Sequence, residues 1–254
     1  MVTVANDGIG QITMNRPAQR NALSEAHLSE LIAAFTDLGD APDLRAIILA
    51  ANGPVFCAGH DFSDMVGRDQ GAMRQLLTRC VDFLHAIQHA PVPVIAQVQG
   101  IATAAGCQVV ATCDLAVAAD HATFATPGGK GGWFCTTPMV AVARAVAPKR
   151  ALELLLTGDP IDAPTALAWG LINQVVPAGD LASATQQLAQ RASRGSLRSK
   201  TEGKAAYYAT AHLDVESAYA HAVEVMAASA LTEDGREMMR SFLEKRPAVY
   251  PQRR

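Results

Sequence analysis

The chain contains no C-x-x-C pair. Its five cysteines (Cys57, Cys80, Cys107, Cys113 and Cys135) are an odd number at irregular spacing, which argues against a disulfide framework or a zinc site and fits a reducing compartment. Charge of one sign is also lacking: 21 basic residues face 24 acidic ones, a net of −3. That balance gives no overall pull on nucleic acid or an anionic membrane, so neither is expected as a partner. The opening segment MVTVANDGIG has no basic n-region, no apolar h-region and no Arg-rich amphipathic stretch. It reads as mature sequence without a targeting segment, and the protein is expected in the cytoplasm. The most apolar stretch, residues 101–119, is interrupted by Gln108 and Asp114, so it reads as buried core rather than a membrane span. GGKGGW (128–133) lacks the Gly-Lys-Ser/Thr ending of a phosphate loop, and no G-x-G-x-x-G opens a helix. His85 and His89 are four apart without a third ligand or the glutamate of a zinc protease, so they read as solvent-facing and no metal is expected. What is present is apolar mass. Of 254 residues, 50% are hydrophobic and 18% charged, enough for a large core and incompatible with disorder.

The first half alternates β-type and helical runs. GIGQITM (8–14), RAIILAAN (45–52), PVIAQVQG (93–100), LAVAA (115–119) and ATFAT (122–126) read as strands. Residues 24–38 (capped by Ser24), 68–89 and 103–114 read as helices. The alternation argues for an α/β fold with crossover connections. From residue 137 the pattern turns helical: Thr137-Pro138 reads as an N-cap with proline at the first helical position. A break at Pro148 follows, then RALELLLTG, then helices over 181–194, 213–231 and 236–245. This divides the chain into a core, 1–195, and a C-terminal helical region, 196–254, with apolar faces to bury on the core or on neighbouring subunits.

Two glycine-containing turns concentrate the chemistry. GPVFCAGHDF (53–62) follows a strand, and in QGIATAAGCQVV (99–110) a strand turns directly into a helix whose first turn is Ala104, Ala105 and Gly106. Small residues there let another group approach the backbone. The free N–H groups of a helix start carry about half a positive charge. A second N–H from the FCAGHD turn would complete an oxyanion hole, in which one donor is worth roughly 2.7–4 kcal/mol of transition-state stabilisation. The plain alternative is a pair of tight turns with small residues for packing.

Five segments in order resemble the crotonase (enoyl-CoA hydratase/isomerase) superfamily: ITMNRPAQRNALS (12–24), RAIILAANGPVFCAGHDF (45–62), PVPVIAQVQGIATAAGCQVVATCDLAVAAD (91–120), LLLTGDPIDAPTALAWGLINQVVP (154–177) and FLEKRPAVY (242–250). The GHD turn with FATPG is similar to the enoyl-CoA hydratase domain-containing branch. The resemblance implies the ClpP-like crotonase spiral of β-β-α units, a helical C-terminal region used for assembly, and a homotrimer or dimer of trimers. It also implies an acyl thioester of coenzyme A as ligand, its carbonyl held by the N–H groups of His60 and Ala105. Arg20, Ala22 and Ala58 are implied as coenzyme A contacts; Asp61, Phe62 and Ala104 are candidate substrate contacts beside them, and Trp133 reads as lining the acyl pocket or as filling core. Phe242 and Lys245 would reach a neighbouring subunit's nucleotide; Lys245 reads equally as a solvated helix-end charge. Coenzyme A enters only as part of the substrate, with no other cofactor.

The departures from the family pattern matter most. Its hydratases use two glutamates to place and activate water. The first position, one helical turn past the second oxyanion donor, holds Gln108, and the second holds Gly128. Glutamine orients a water but does not take its proton, and positioned acid/base groups contribute roughly 10²–10⁴-fold. Hydration of simple 2-enoyl thioesters is therefore expected to be weak. His60 has a suitable unperturbed pKa for a substitute acid or base, and Asp61 reads as a cap or a base. Cys107 and Cys135 read as structural thiols or nucleophiles. Two functions stay open: a lyase- or isomerase-type enzyme working through a stabilised enolate, and a non-catalytic acyl-CoA-binding protein.

Overall fold

The computed structural model describes residues 2–4 and 7–251. Met1, Ala5 and Asn6 of the opening segment, and the last three residues of the 196–254 region, lie outside the described residues. The chain opens with β1 (Val2–Val4), β2 (Ile9–Met14), a 3-10 turn (Pro17–Gln19) and α1 (Glu25–Gly39). Three turns of a spiral follow. The first is β3 (Ala46–Ala51), β4 (Val55–Cys57), α2 (Phe62–Met65) and α3 (Gln70–His89). The second is β5 (Val94–Val98), β6 (Ile101–Thr103) and α4 (Ala105–Thr112). The third is β7 (Leu115–Ala119), β8 (Thr123–Ala125), a 3-10 turn (Pro127–Gly129) and α5 (Thr136–Ala145). After these come α6 (Pro148–Thr157), β9 (Ile161–Asp162), α7 (Ala163–Trp169), β10 (Gln174–Val176) and α8 (Leu181–Ala192). The chain ends with α9 (Leu197–Thr210), α10 (Val215–Ala230) and α11 (Glu233–Leu243).

Each spiral turn gives one strand to each of two sheets. The larger sheet runs β1-β2-β3-β5-β7-β10 and the smaller β4-β6-β8-β9. Neighbours from successive turns pair parallel, as in Leu49↔Ala96 and Ala96↔Ala116. This is the expected β-β-α spiral. The sequence of β3, AIILAA, explains its place: a near-continuous apolar run suits a parallel strand covered on both faces, and its residues are buried except the last. One side of the large sheet meets the main core, including Phe35, Phe56, Phe83 and Phe124. On the other side Leu181 and Ala189 of α8 pack with Ile48, Ile95 and Val117.

Several local expectations are corrected. Ala104 is not in the first helical turn; it precedes α4 with φ 53 and ψ −119. Thr137 does not cap α5: the helix starts at Thr136, putting Pro138 inside its first turn, where a missing N–H costs nothing. Within residues 99–110 a strand does turn directly into α4, but that strand is β6, separate from β5, which ends at Val98. α2 and α9 are additional helices. α9 escaped notice because LRSKTEGKAAYYAT carries no apolar period.

Candidate active site

The residues joining β4 to α2 and β6 to α4 lie against each other. A Cβ built on Gly59 would meet Ala104 Cβ at 2.9 Å and Ala105 N at 3.2 Å, and Gly59 has φ +90. A Cβ built on Gly106 would meet the Cys57 carbonyl oxygen at 2.1 Å. Both contacts are with backbone or a fixed methyl, so only glycine lets the two chains approach this closely.

The direction of the His60 N–H follows from its pairing. Leu23 and His60 form an isolated parallel bridge: Leu23 N–H donates to Gly59 O at 2.8 Å, and Asp61 N–H donates to Leu23 O at 3.3 Å. In a parallel bridge the residue opposite turns its own N–H and C=O to the far side, so the His60 N–H points away from Leu23. Ala105 is the first residue of α4, where N–H groups have no intrahelical acceptor. Among the described residues neither N–H donates a hydrogen bond. Ala104, immediately before, holds a positive φ without being glycine, a strain of roughly 1–3 kcal/mol that the fold maintains at this turn.

The Arg20–Ala22 loop and the first turn adjoin this pair. Ala58 N–H donates to the Arg20 carbonyl oxygen at 3.1 Å, which brings Arg20, Ala22 and Ala58 together. Asp61 caps α2 by accepting from Ser63 N–H, 4.0 Å from the Arg16 guanidinium. Trp133 bridges two aromatic neighbours, with ring centroids 6.5 Å from both His60 and Phe62. The glycine-rich loop thus folds toward the first turn. Phe242 is exposed on α11 and Lys245 follows that helix with φ 53. Within one chain the main contact of α11 is with α10.

Gln108 is only 3% exposed. Its amide nitrogen donates to the Thr137 carbonyl oxygen at 2.9 Å, while its Oε1 is buried without a partner among the described residues. Gly128 offers no room for a side chain: a Cβ there would lie 2.1 Å from Trp133 O and 2.8 Å from Cys135 N. Its carbonyl accepts from Trp133 N–H at 3.1 Å and its N–H faces Cys135 Sγ at 3.3 Å. The loop therefore closes on itself at Gly128.

Burial decides the state of the titratable groups. It is the main cause holding the His60 imidazole below its ordinary pKa; the Leu23 backbone opposes this weakly, and neither ring nitrogen makes a hydrogen bond of ordinary geometry. Burial also pushes the Cys107 thiol up to about 12 and raises Cys135, so both are held as thiols. His85 and His89 stack, exposed, at 5.5 Å. Among the described residues no group of three His, Cys, Asp or Glu is placed to hold a metal ion, and no helix is long and apolar enough to cross a membrane.

Two supporting residues escaped the sequence reading. Asn21, fully buried with φ 53, accepts from Arg16 N–H and donates to the carbonyls of Asn52 and Val55. It fastens the Arg20–Ala22 loop to the start of β4. Arg16 donates to Ser24 Oγ at 2.6 Å. The one available signal was an asparagine in a turn, a residue type that tolerates positive φ.

The chain matches the Enoyl-CoA hydratase/isomerase family over residues 4–253. It is 43% identical over 247 residues to the human mitochondrial enoyl-CoA hydratase domain-containing protein 3, covering 96% of this chain and 81% of that one. The crystal structure of the human protein superposes with a TM-score of 0.92 at 41% identity, covering 98% of this chain and 99% of that one. The enoyl-CoA hydratase of Mycobacterium smegmatis superposes with a TM-score of 0.94 at 42% identity, covering 98% and 97%. The mouse, human and rat relatives are mitochondrial by name. This overturns the cytoplasmic expectation, which rested on an opening segment without basic residues that does not by itself decide a compartment. With the β-β-α spiral, these likenesses show that the chain belongs to the enoyl-CoA hydratase/isomerase, or crotonase, family.

Proposed function

We propose that the chain binds an acyl thioester of coenzyme A with its carbonyl oxygen between the main-chain N–H groups of His60 and Ala105. The observation that carries this reading is the Gly59 seam, where the two turns meet and leave both donors unpaired. Negative charge developing on the thioester oxygen during α-proton loss would meet two fixed dipoles, one at a helix start. Arg20, Ala22, Ala58, Asp61, Phe62, Ala104 and Trp133 surround the ligand in this reading. Neither a metal nor a second cofactor takes part.

The acid/base chemistry is weak. Gln108 accepts and donates hydrogen bonds but transfers no proton at neutral pH, and Gly128 is closed to any side chain by Trp133 O and Cys135 N. That closure favours a second reading, an acyl-CoA-binding protein without turnover, over a lyase or isomerase working through the enolate. The C-terminal region, 196–254, is proposed to assemble the chain into a homotrimer or dimer of trimers. The support is a stripe on α10, Val215, Tyr219, Val223 and Met226, exposed at 72, 70, 60 and 76%. Phe242 and Lys245 would then meet a neighbouring subunit's nucleotide.

Calorimetric titration with an acyl-CoA panel, run beside a crotonyl-CoA hydration assay, tests the reading. Thioester binding with turnover far below an ordinary hydratase is expected, and Gly128→Glu should not raise it. Absence of binding by every thioester would remove both readings; ordinary hydratase turnover would remove the claim of weak chemistry.

A further inference from the structure

α3 is 20 residues long, about 30 Å of helix. Its first turn follows α2, and its last two turns carry His85 and His89. Residues four apart lie one above the other on a helix face. Both rings are exposed, and they stack with centroids 5.5 Å apart. Two imidazoles on one ion, each about 2.0–2.1 Å from it, have ring centres roughly 4.5–5 Å apart. The χ2 well of an exposed histidine is broad, so both rings turn onto a shared ion at little cost.

A second feature lies beside the pair. α1 and α3 both end at a cavity of about 270 Å³ lined by Thr36, Gly39, Asp40, His89 and Pro91. The C-terminal carbonyls of each helix carry about half a negative charge, and the Asp40 carboxylate adds to it. Such a cavity favours a cation. At about 30 Å³ per water, it has room for the water that a metal ion keeps. No third protein ligand converges among the described residues. That excludes a closed zinc centre, which takes four protein ligands, but not an ion that completes its shell with water.

We propose that His85 and His89 form a two-histidine site for a divalent transition-metal ion whose remaining positions are filled by water. Imidazole nitrogens select this class over Mg²⁺ and Ca²⁺, which take oxygen. Among first-row ions Cu²⁺ binds such donors more tightly than Ni²⁺ or Zn²⁺. The ion ties together the last two turns of α3, where a helix frays, and an ion held by the folded chain stabilises it. The site does not depend on the thioester reading.

Calorimetry on the full chain with Cu²⁺, Ni²⁺ or Mg²⁺ alone, in a buffer that binds no metal, tests this. Cu²⁺ is expected to bind more tightly than Ni²⁺, and Mg²⁺ not at all. All five cysteines are buried, so the folded chain offers no exposed thiolate to compete. His85→Gln and His89→Gln should each weaken Cu²⁺ binding at least about tenfold, because the second bond of a chelate forms at high effective concentration. Both rings are exposed, so neither change threatens folding. His121→Gln removes an exposed imidazole 3.2 Å from Asp120 and should leave the affinity unchanged. The electron paramagnetic resonance spectrum of bound Cu²⁺ should show two coordinated nitrogens, falling to one in either variant. Mg²⁺ binding as tight as that of Cu²⁺, a one-nitrogen spectrum in the unaltered protein, or an affinity that survives His85→Gln or His89→Gln overturns the inference.

Discussion

Two consecutive helices, α8 and α9, attach to the rest of the chain in opposite ways. α8 seals one side of the large sheet with apolar contacts, Leu181 and Ala189 against Ile48, Ile95 and Val117. α9 is held by polar ones. Lys204 donates to the carbonyls of Ile87 and Val92 and pairs with Asp114 at 2.7 Å. Asp114 also accepts from Tyr208 OH and Val94 N–H, each at 2.7 Å. Beyond α9 the chain buries little: α10 has no buried residue, and α11 buries only Asp234 and Ser241, the former accepting from Ser196. An apolar seal is non-directional and tolerates adjustment. A polar seam fixes one docking position, because a misplaced partner leaves a buried charge unpaired. The core therefore shapes the two turns, and the seam sets where the exposed face of α10 is presented.

The comparison breaks most severely at Asp114. Asp114→Ala leaves Lys204, its side chain 10% exposed, buried without its counter-charge. The expected loss is about 3–5 kcal/mol in urea unfolding, and a loss below 1 kcal/mol would make the seam incidental. Gly59→Ala attacks the core side of the comparison by forcing a methyl against Ala104 and Ala105 N. It is expected to cost roughly 1–3 kcal/mol and to abolish thioester binding by calorimetry.

A smaller effect comes from pH. Burial holds the His60 and His27 pKa values below their ordinary 6.5. The unfolded chain therefore takes up these protons first. Stability is full above about pH 6.5 and falls as the pH drops toward the folded-state values. Urea midpoints at pH 8, 6.5 and 5.5 should fall in that order, and His60→Gln should flatten the slope; an unchanged slope would place the effect elsewhere. The smallest effect on the chain's own stability is expected from Val223→Glu with Met226→Glu. These exposed side chains lose no packing within the chain, so the change should stay under about 0.5 kcal/mol. Sedimentation should nonetheless shift from trimer or hexamer to monomer, and an unchanged sedimentation coefficient would count against α10 as the assembly face.

Legibility in the sequence followed the range of the interactions. β3 was visible because a doubly covered parallel strand is one apolar run. α1 was visible because Ser24 caps it, accepting from His27 N–H at 3.2 Å. α9 was hidden because its attachment lies in Lys204 and Tyr208, which are ordinary solvated residues until Asp114 lies beside them. Gln108 and Gly128 stood out as departures from a resembled pattern. That Gly128 has no space for a side chain was not readable, since the blocking atoms are backbone of residues 133 and 135.

Local order along the chain determined the alternation of strands and helices, the glycines at positions 59 and 106, and the balance of charge. Those are set by dihedral freedom, apolar period and composition, which act over a few residues. Folding decided which way the His60 N–H points, which end of the Gln108 amide faces Thr137, and which helix keeps an uncovered face. Each depends on a partner dozens of residues away, and hydrogen bonds and packing depend on positions in space that no local pattern encodes.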